Sequence, residues 1–230
     1  MKRFSLFLSL FFLSISIYSQ RNNTKISNLQ NFDQKKIRFG YYIGVNNYNY
    51  KLDYILNPEK KTLVRDQTGI NVGLIGDLKL KKNLNLRFEP GLYTNKSDIV
   101  FNHLKSNDTL RSIKSTYIHL PLLIKYSTKR YNNLKPYVLA GLSTSFNLSS
   151  NQNSPEDNNN DVFRLKTNNF YYELGFGIDF YLQYFKFSPS IRGVFSLKNE
   201  LVPDLDPNSP WTGNIDKMSA RAIFINFSFH

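Results

Sequence analysis

Between Phe170 and Leu182 every second residue is bulky and apolar. Phe170, Tyr172, Leu174, Phe176, Ile178, Phe180 and Leu182 fall on one side of an extended chain; Tyr171, Glu173, Gly175, Gly177 and Asp179 fall on the other. A period of two over so long a run is strand spacing, because successive side chains of a strand point to opposite faces. Seven further segments repeat the pattern: Ile37 to Tyr50, Ile70 to Leu80, Leu84 to Tyr93, Tyr117 to Tyr126, Leu134 to Leu148, Phe185 to Leu197, and Ala222 to Phe229. In the first, Ile37, Phe39, Tyr41, Ile43 and Val45 oppose Arg38, Gly40, Tyr42, Gly44 and Asn46. Eight alternating segments predict an all-β chain.

The connections alternate in length. Tight turns are expected at Lys81 to Asn83 and Gln183 to Tyr184, and a modest one at Ser127 to Asn133. The others, Asp53 to Thr68, Ser97 to Lys114, Ser149 to Asn168 and Lys198 to Lys217, are long and polar, with Asn-rich runs such as Asn158 to Asn160. Short turns at one end and long loops at the other describe an eight-stranded antiparallel transmembrane barrel of the outer-membrane type.

Alternation alone fits a soluble barrel too, whose apolar face points inward. The polar face decides between them. It collects Gly40, Gly44, Gly73, Gly91, Gly141, Gly175 and Gly177 beside Tyr42, Tyr93, Tyr137 and Tyr171. A solvated face has no use for small residues, whereas a narrow lumen crowded with tyrosine does. The same face holds Arg38, Arg87, Glu89, Lys125, Glu173, Asp179 and Arg192. On a lipid face an arginine near the midplane costs about 2–4 kcal/mol. In the lumen, Arg38, Arg87 and Arg192 are expected to pair with Glu89, Glu173 or Asp179.

Lys2 and Arg3, the apolar run Phe4 to Ile17 and the small residue Ser19 read as a secretory signal peptide. The domain expectation is a signal peptide over 1–19, a polar periplasmic tail over 20–36 and the barrel over 37–230. An eight-stranded barrel is filled by its own side chains, which argues against a diffusion pore. The chain has no Cys, which excludes disulfides and thiol chemistry, and its three histidines, His103, His119 and His230, lack metal-ligand spacing. No catalytic residues, metal site or cofactor are expected. A loop pairing of His103 with Ser97 or Ser106 is the one candidate for lipid-modifying chemistry, a reading that ranks last.

The net charge of +13 invites a nucleic-acid reading, which export argues against. Cations gather at the short-turn side: Lys35, Lys36, Lys79, Lys81, Lys82, Lys129, Arg130, Lys135 and Lys186. With the N-terminus periplasmic, that basic rim would face the periplasm and meet anionic headgroups or an acidic protein. The last long loop is acidic, with Glu200, Asp204, Asp206 and Asp216.

Four stretches carry a family resemblance. Ser19-Gln20 and the run Arg87-Phe88-Glu89-Pro90-Gly91-Leu92-Tyr93 resemble Bacteroidetes-type outer-membrane barrels. The stretch Asn208 to Met218, with Trp211, Asp216 and Lys217, and the run Tyr117 to Leu123 resemble the PorT/SprT family of the type IX secretion and gliding-motility machinery. The resemblance implies a non-enzymatic accessory protein for secreting proteins with C-terminal sorting signals. It implies outer-membrane lipid and other secretion-machinery proteins as partners, and no nucleic acid or small-molecule substrate. Trp211, the only Trp, is expected to anchor a partner or its own loop, with Asp216 and Lys217 beside it. The alternative function is a generic small barrel for adhesion or envelope integrity.

Overall fold

The computed structural model describes residues 27–58, 61–102, 104, 109–158 and 162–230. The expected signal peptide, and His103, Ser106, Asn159 and Asn160, lie outside the described residues. Where the alternation predicts strands, strands form: β1 (Ile37–Tyr54), β2 (Leu63–Asp66), β3 (Thr68–Lys81), β4 (Leu84–Phe88), β5 (Gly91–Val100), β6 (Leu110–Ser127), β7 (Leu134–Asn147), β8 (Asn168–Tyr181), β9 (Lys186–Ser196) and β10 (Ile215–Phe229).

These pieces make eight staves. β4 and β5 are one strand interrupted at Pro90, which has no N–H to give the ladder. The register against β6 runs through the break, from Phe88 opposite Leu122 to Gly91 opposite His119. β2 is the upward continuation of β3 and pairs with the far end of β5. Each stave is antiparallel to its neighbours, and β1 pairs with both β3 and β10, placing Ile43 between Val72 and Phe227. The ladder closes on itself, so no edge is left bare in the membrane-spanning part.

The faces are those the glycines and charges called for. In β8, Phe176 is 63% exposed while Glu173 is 1% exposed. Outward residues Phe39, Ile43, Val72, Leu74, Leu142 and Ile223 join Phe176 in an apolar ring, and Tyr42, Arg87, His119 and Arg192 fill the inside.

The long-loop expectation needs correction. β5 runs to Val100, β6 begins at Leu110 and β10 at Ile215, all inside stretches expected to be loops. β6 alone has 18 residues, against about 9–11 needed to span a bilayer. The extra length stands beyond the apolar ring. There the outward residues are Thr94, Lys96 and Asp98 on β5 and Ser112, Lys114 and Thr116 on β6, and the inward ones mix Asn95, Ser97, Arg111 and Ser115 with Ile99 and Ile113, so the outward-apolar period is lost.

Candidate functional site

Three layers of side chains stack inside the barrel. The middle layer is ionic. Arg192 on β9 reaches Glu89 at 3.0 Å and Glu173 at 3.2 Å; Arg87 reaches Glu89 at 3.2 Å and Asp77 at 3.0 Å. His119 joins the layer, with Nε2 2.8 Å from Glu173 and Nδ1 2.5 Å from the Ser145 hydroxyl. Toward the short turns, Lys125 lies 2.7 Å from Asp179, which also accepts from Ser188 at 2.6 Å, and Arg38 pairs with Asp77 at 2.5 Å. Thus Arg87 and Arg192 meet carboxylates named from the sequence, whereas Arg38 meets Asp77 and Asp33, and Asp179 meets lysines. Asp77, Lys125 and Lys186 belong to the network although the sequence reading left them out of the pairing. Their position on the polar face was the available signal.

The layer at the loop end is apolar and aromatic. Tyr48, Tyr117, Tyr171, Phe101, Phe163 and Met218 pack there, with the Tyr48 and Tyr117 rings stacked 5.7 Å apart. Loop segments lie across this core. Arg111 donates to the Asn158 carbonyl at 2.8 Å, the Asn158 amide donates to Asp204 at 2.9 Å, and Arg164 donates to the Pro203 carbonyl. Glu200 is fully buried beneath them, its carboxylate facing the Ser196 and Tyr171 hydroxyls and the Ala220 backbone. Burial pushes its carboxyl up to about 7.

Trp211 sits in this cap, half-buried against the aromatic core, with the Arg111 guanidinium 5.1 Å from its ring centre. Asp216 and Lys217 lie on β10, beyond the loop assigned to them; Asp216 is exposed and Lys217 stands opposite Asp53 of β1.

The third layer was not foreseen. Residues 27–36 of the expected polar tail turn back under the barrel and cover its short-turn mouth; the tail's first residues, 20–26, lie outside the described residues. One turn of 3-10 helix, Phe32–Gln34, places Asp33 at the centre. Its carboxylate accepts from Tyr181 at 2.8 Å, from Lys135 at 3.1 Å and from Arg38 at 3.3 Å, and its carbonyl accepts from Lys79 at 2.6 Å. Burial pushes the Asp33 carboxyl up, and the Lys135 charge and Tyr181 hydrogen bond outweigh this and hold it below the usual range. Arg130 ties down the segment's start by donating to the carbonyls of Asn28 and, at 3.4 Å, Leu29. The basic rim is therefore partly spent inward: Lys79, Arg130 and Lys135 hold this segment, and Lys186 is buried near Asp179 at 3.8 Å.

Among the described residues no group of three or more His, Asp or Glu could hold a metal ion. The family profile described as outer membrane protein beta-barrel domain matches residues 18–202, most of the chain up to the last strand. The chain belongs to that family. In an outer-membrane barrel domain of this kind, the ring formed by Phe39, Ile43, Leu74 and Phe176 is the surface that meets lipid. Among solved structures, the domain is similar to the outer membrane protein OprG from Pseudomonas aeruginosa, at 15% identity over 84% of this chain and 93% of that one, with a TM-score of 0.46. It is also similar to Neisserial surface protein A, at 9% identity over 82% of this chain and 95% of that one (TM-score 0.43). A third is Ail, the attachment invasion locus protein of Yersinia pestis, at 10% identity over 85% and 99% (TM-score 0.38). A comparison with the curated proteins gives no match.

Proposed function

We propose that this outer-membrane barrel is a non-enzymatic accessory of type IX protein secretion and gliding motility, acting through protein contacts at its rims. One observation carries the step from barrel to contact protein: Arg192 on β9 meets Glu89 from the opposite wall at 3.0 Å, so the axis is occupied by paired charge rather than open to solute. The step from contact protein to this machinery rests on the resemblance carried by Asn208 to Met218 and Tyr117 to Leu123. In this reading the N-terminus and short turns face the periplasm, the loop cap faces outward, and Trp211, Asp216 and Lys217 mark the stretch offered to a partner.

The test is deletion of the gene followed by comparison of the secreted proteome and surface spreading with the parent strain. Loss of secreted proteins bearing C-terminal sorting signals, restored by the intact gene, is the expected result. Unchanged secretion with a leaky envelope would replace this reading with the alternative, a barrel for envelope integrity.

A further inference from the structure

At the short-turn mouth, the covering segment and two neighbouring turns border a half-open pocket of about 370 Å³. Five cations line it: Lys79, Lys82, Lys129, Arg130 and Lys135. The carboxylate that lines it is Asp33, already engaged by Lys135, Arg38 and Tyr181. Arg130 spends its donors on neutral acceptors, the Asn28, Leu29 and Asn132 carbonyls and the Asn133 side-chain oxygen. Lys82 and Lys129, both exposed on their turns, have no carboxylate within 4.0 Å among the described residues. One negative charge among five positive ones leaves the pocket net positive, a salt-screened field that favours a small anion.

We infer that this pocket is a binding site for a phosphate-class oxyanion, held by Lys82, Lys129 and the spare donors of Lys79 and Lys135. An ammonium group has three protons to donate. Lys79 uses one on the Asp33 carbonyl and Lys135 one on the Asp33 carboxylate, so each keeps donors for a ligand. A flexible ammonium binds a compact, multiply charged oxyanion as a point charge, without the planar fork by which an arginine matches carboxylate or phosphate. The occupant comes from water rather than the bilayer. Lys79 and Lys135 line the inner face of the wall, whereas their neighbours Leu80 and Leu134 point out toward lipid. The Asp33 carboxylate repels such an anion and sets the pocket's floor, so binding is expected to be modest and tunable there. This inference does not depend on the secretion reading.

The experiment uses the folded full-length barrel in a non-ionic, phosphate-free detergent. Inorganic phosphate and pyrophosphate are titrated against chloride at matched ionic strength, with binding read by calorimetry and by phosphorus NMR line width. Saturable binding is expected, weakened at least about tenfold in the variant Lys82→Gln/Lys129→Gln, or about 1.4 kcal/mol. Both lysines are exposed turn residues, so that variant should fold like the parent, with the same circular dichroism spectrum. A second variant, Asp33→Asn, should bind more tightly if the covering segment stays seated. Binding no better than chloride, or binding unchanged in the double lysine variant, would overturn the site. A third arm uses nanodiscs of phosphatidylcholine with or without phosphatidic acid. Competition with phosphate only in the phosphatidic acid discs would overturn the aqueous source and assign the pocket to a lipid headgroup.

Discussion

Glu89 and Arg192 stand on opposite walls of the barrel, one beside the break between β4 and β5 and the other in β9, and their charged groups meet at 3.0 Å across the axis. The contact is a strut. Both side chains are nearly inaccessible to water, and each has a second partner, Arg87 for Glu89 and Glu173 for Arg192.

Removing one end of the strut should cost more than its net worth, because the other end stays buried. Glu89→Ala is expected to destabilise the barrel toward the low end of about 3–5 kcal/mol, since Arg87 and Arg192 each keep another carboxylate. Urea unfolding in detergent would measure it. The double variant Glu89→Gln/Arg192→Met should recover part of the loss. A change of less than about 0.5 kcal/mol for Glu89→Ala would show that the strut does not bear on folding.

Glu200 should make the loop cap sensitive to alkali. Its folded carboxyl titrates at about 7, against an ordinary 4.5. Below pH 4.5 both states are protonated and nothing is lost. As pH rises toward 7 the unfolded chain releases a proton that the folded chain keeps, so stability falls, levelling off above 7. Among the described residues, the groups facing it, Tyr48, Tyr50, Tyr117, Tyr171, Ser196 and the Ala220 backbone, carry no positive charge. Glu200→Gln should flatten the profile, and the variant should exceed the parent at pH 8 by on the order of 1–3 kcal/mol. Parallel curves for the two proteins between pH 5 and 8 would count against a protonated Glu200.

Gly91 tests how tightly the lumen is filled. A Cβ there would lie 2.1 Å from the Tyr42 hydroxyl oxygen and 2.8 Å from the Val72 carbonyl. That hydroxyl is 2.9 Å from the Tyr93 hydroxyl and donates to the Glu89 carbonyl at 3.3 Å. Gly91→Ala should therefore cost about 1–3 kcal/mol through overpacking, and Gly91→Ala/Tyr42→Phe should cost less than the sum of its parts. Additive losses would mean that the two sites do not touch.

Trp211→Ala should loosen the loop cap and leave the barrel wall intact. The indole fills a half-buried position under Arg111, so the loss should fall below the about 3–5 kcal/mol of a fully buried Trp. Limited proteolysis should cut more readily within residues 197–214, with strand content unchanged by circular dichroism. If the variant keeps its cap yet secretion fails, the indole serves a partner. An intact cap with full secretion would remove Trp211 from both roles.

The wall of this protein was legible in its sequence because a strand's two faces meet two solvents. Phe176 against Glu173, or Ile43 against Tyr42, is a local choice repeated every second residue, and lipid outside with packed charge inside enforces it over eight staves. The glycines on the polar face gave the sense of the barrel for the same reason, since Gly91 has its small size only because Tyr42 arrives from a distant strand. Partner choice was not legible. Arg38 pairs with Asp77 and Asp33, not with Glu89 or Asp179, because closure and register put β1 beside β3 and bring the covering segment beneath both. In the extensions of β5, β6 and β10 above the membrane the outward residues turn polar and the inward ones are mixed or apolar, as with Ile99, Ile113 and Met218, so only ladder pairing, a property of the assembled sheet, separates them from loops. Asp33 shows the limit most plainly: its segment has no period of its own, and its place is set by Lys79, Lys135 and Tyr181, three residues that only the closed ring brings to one mouth.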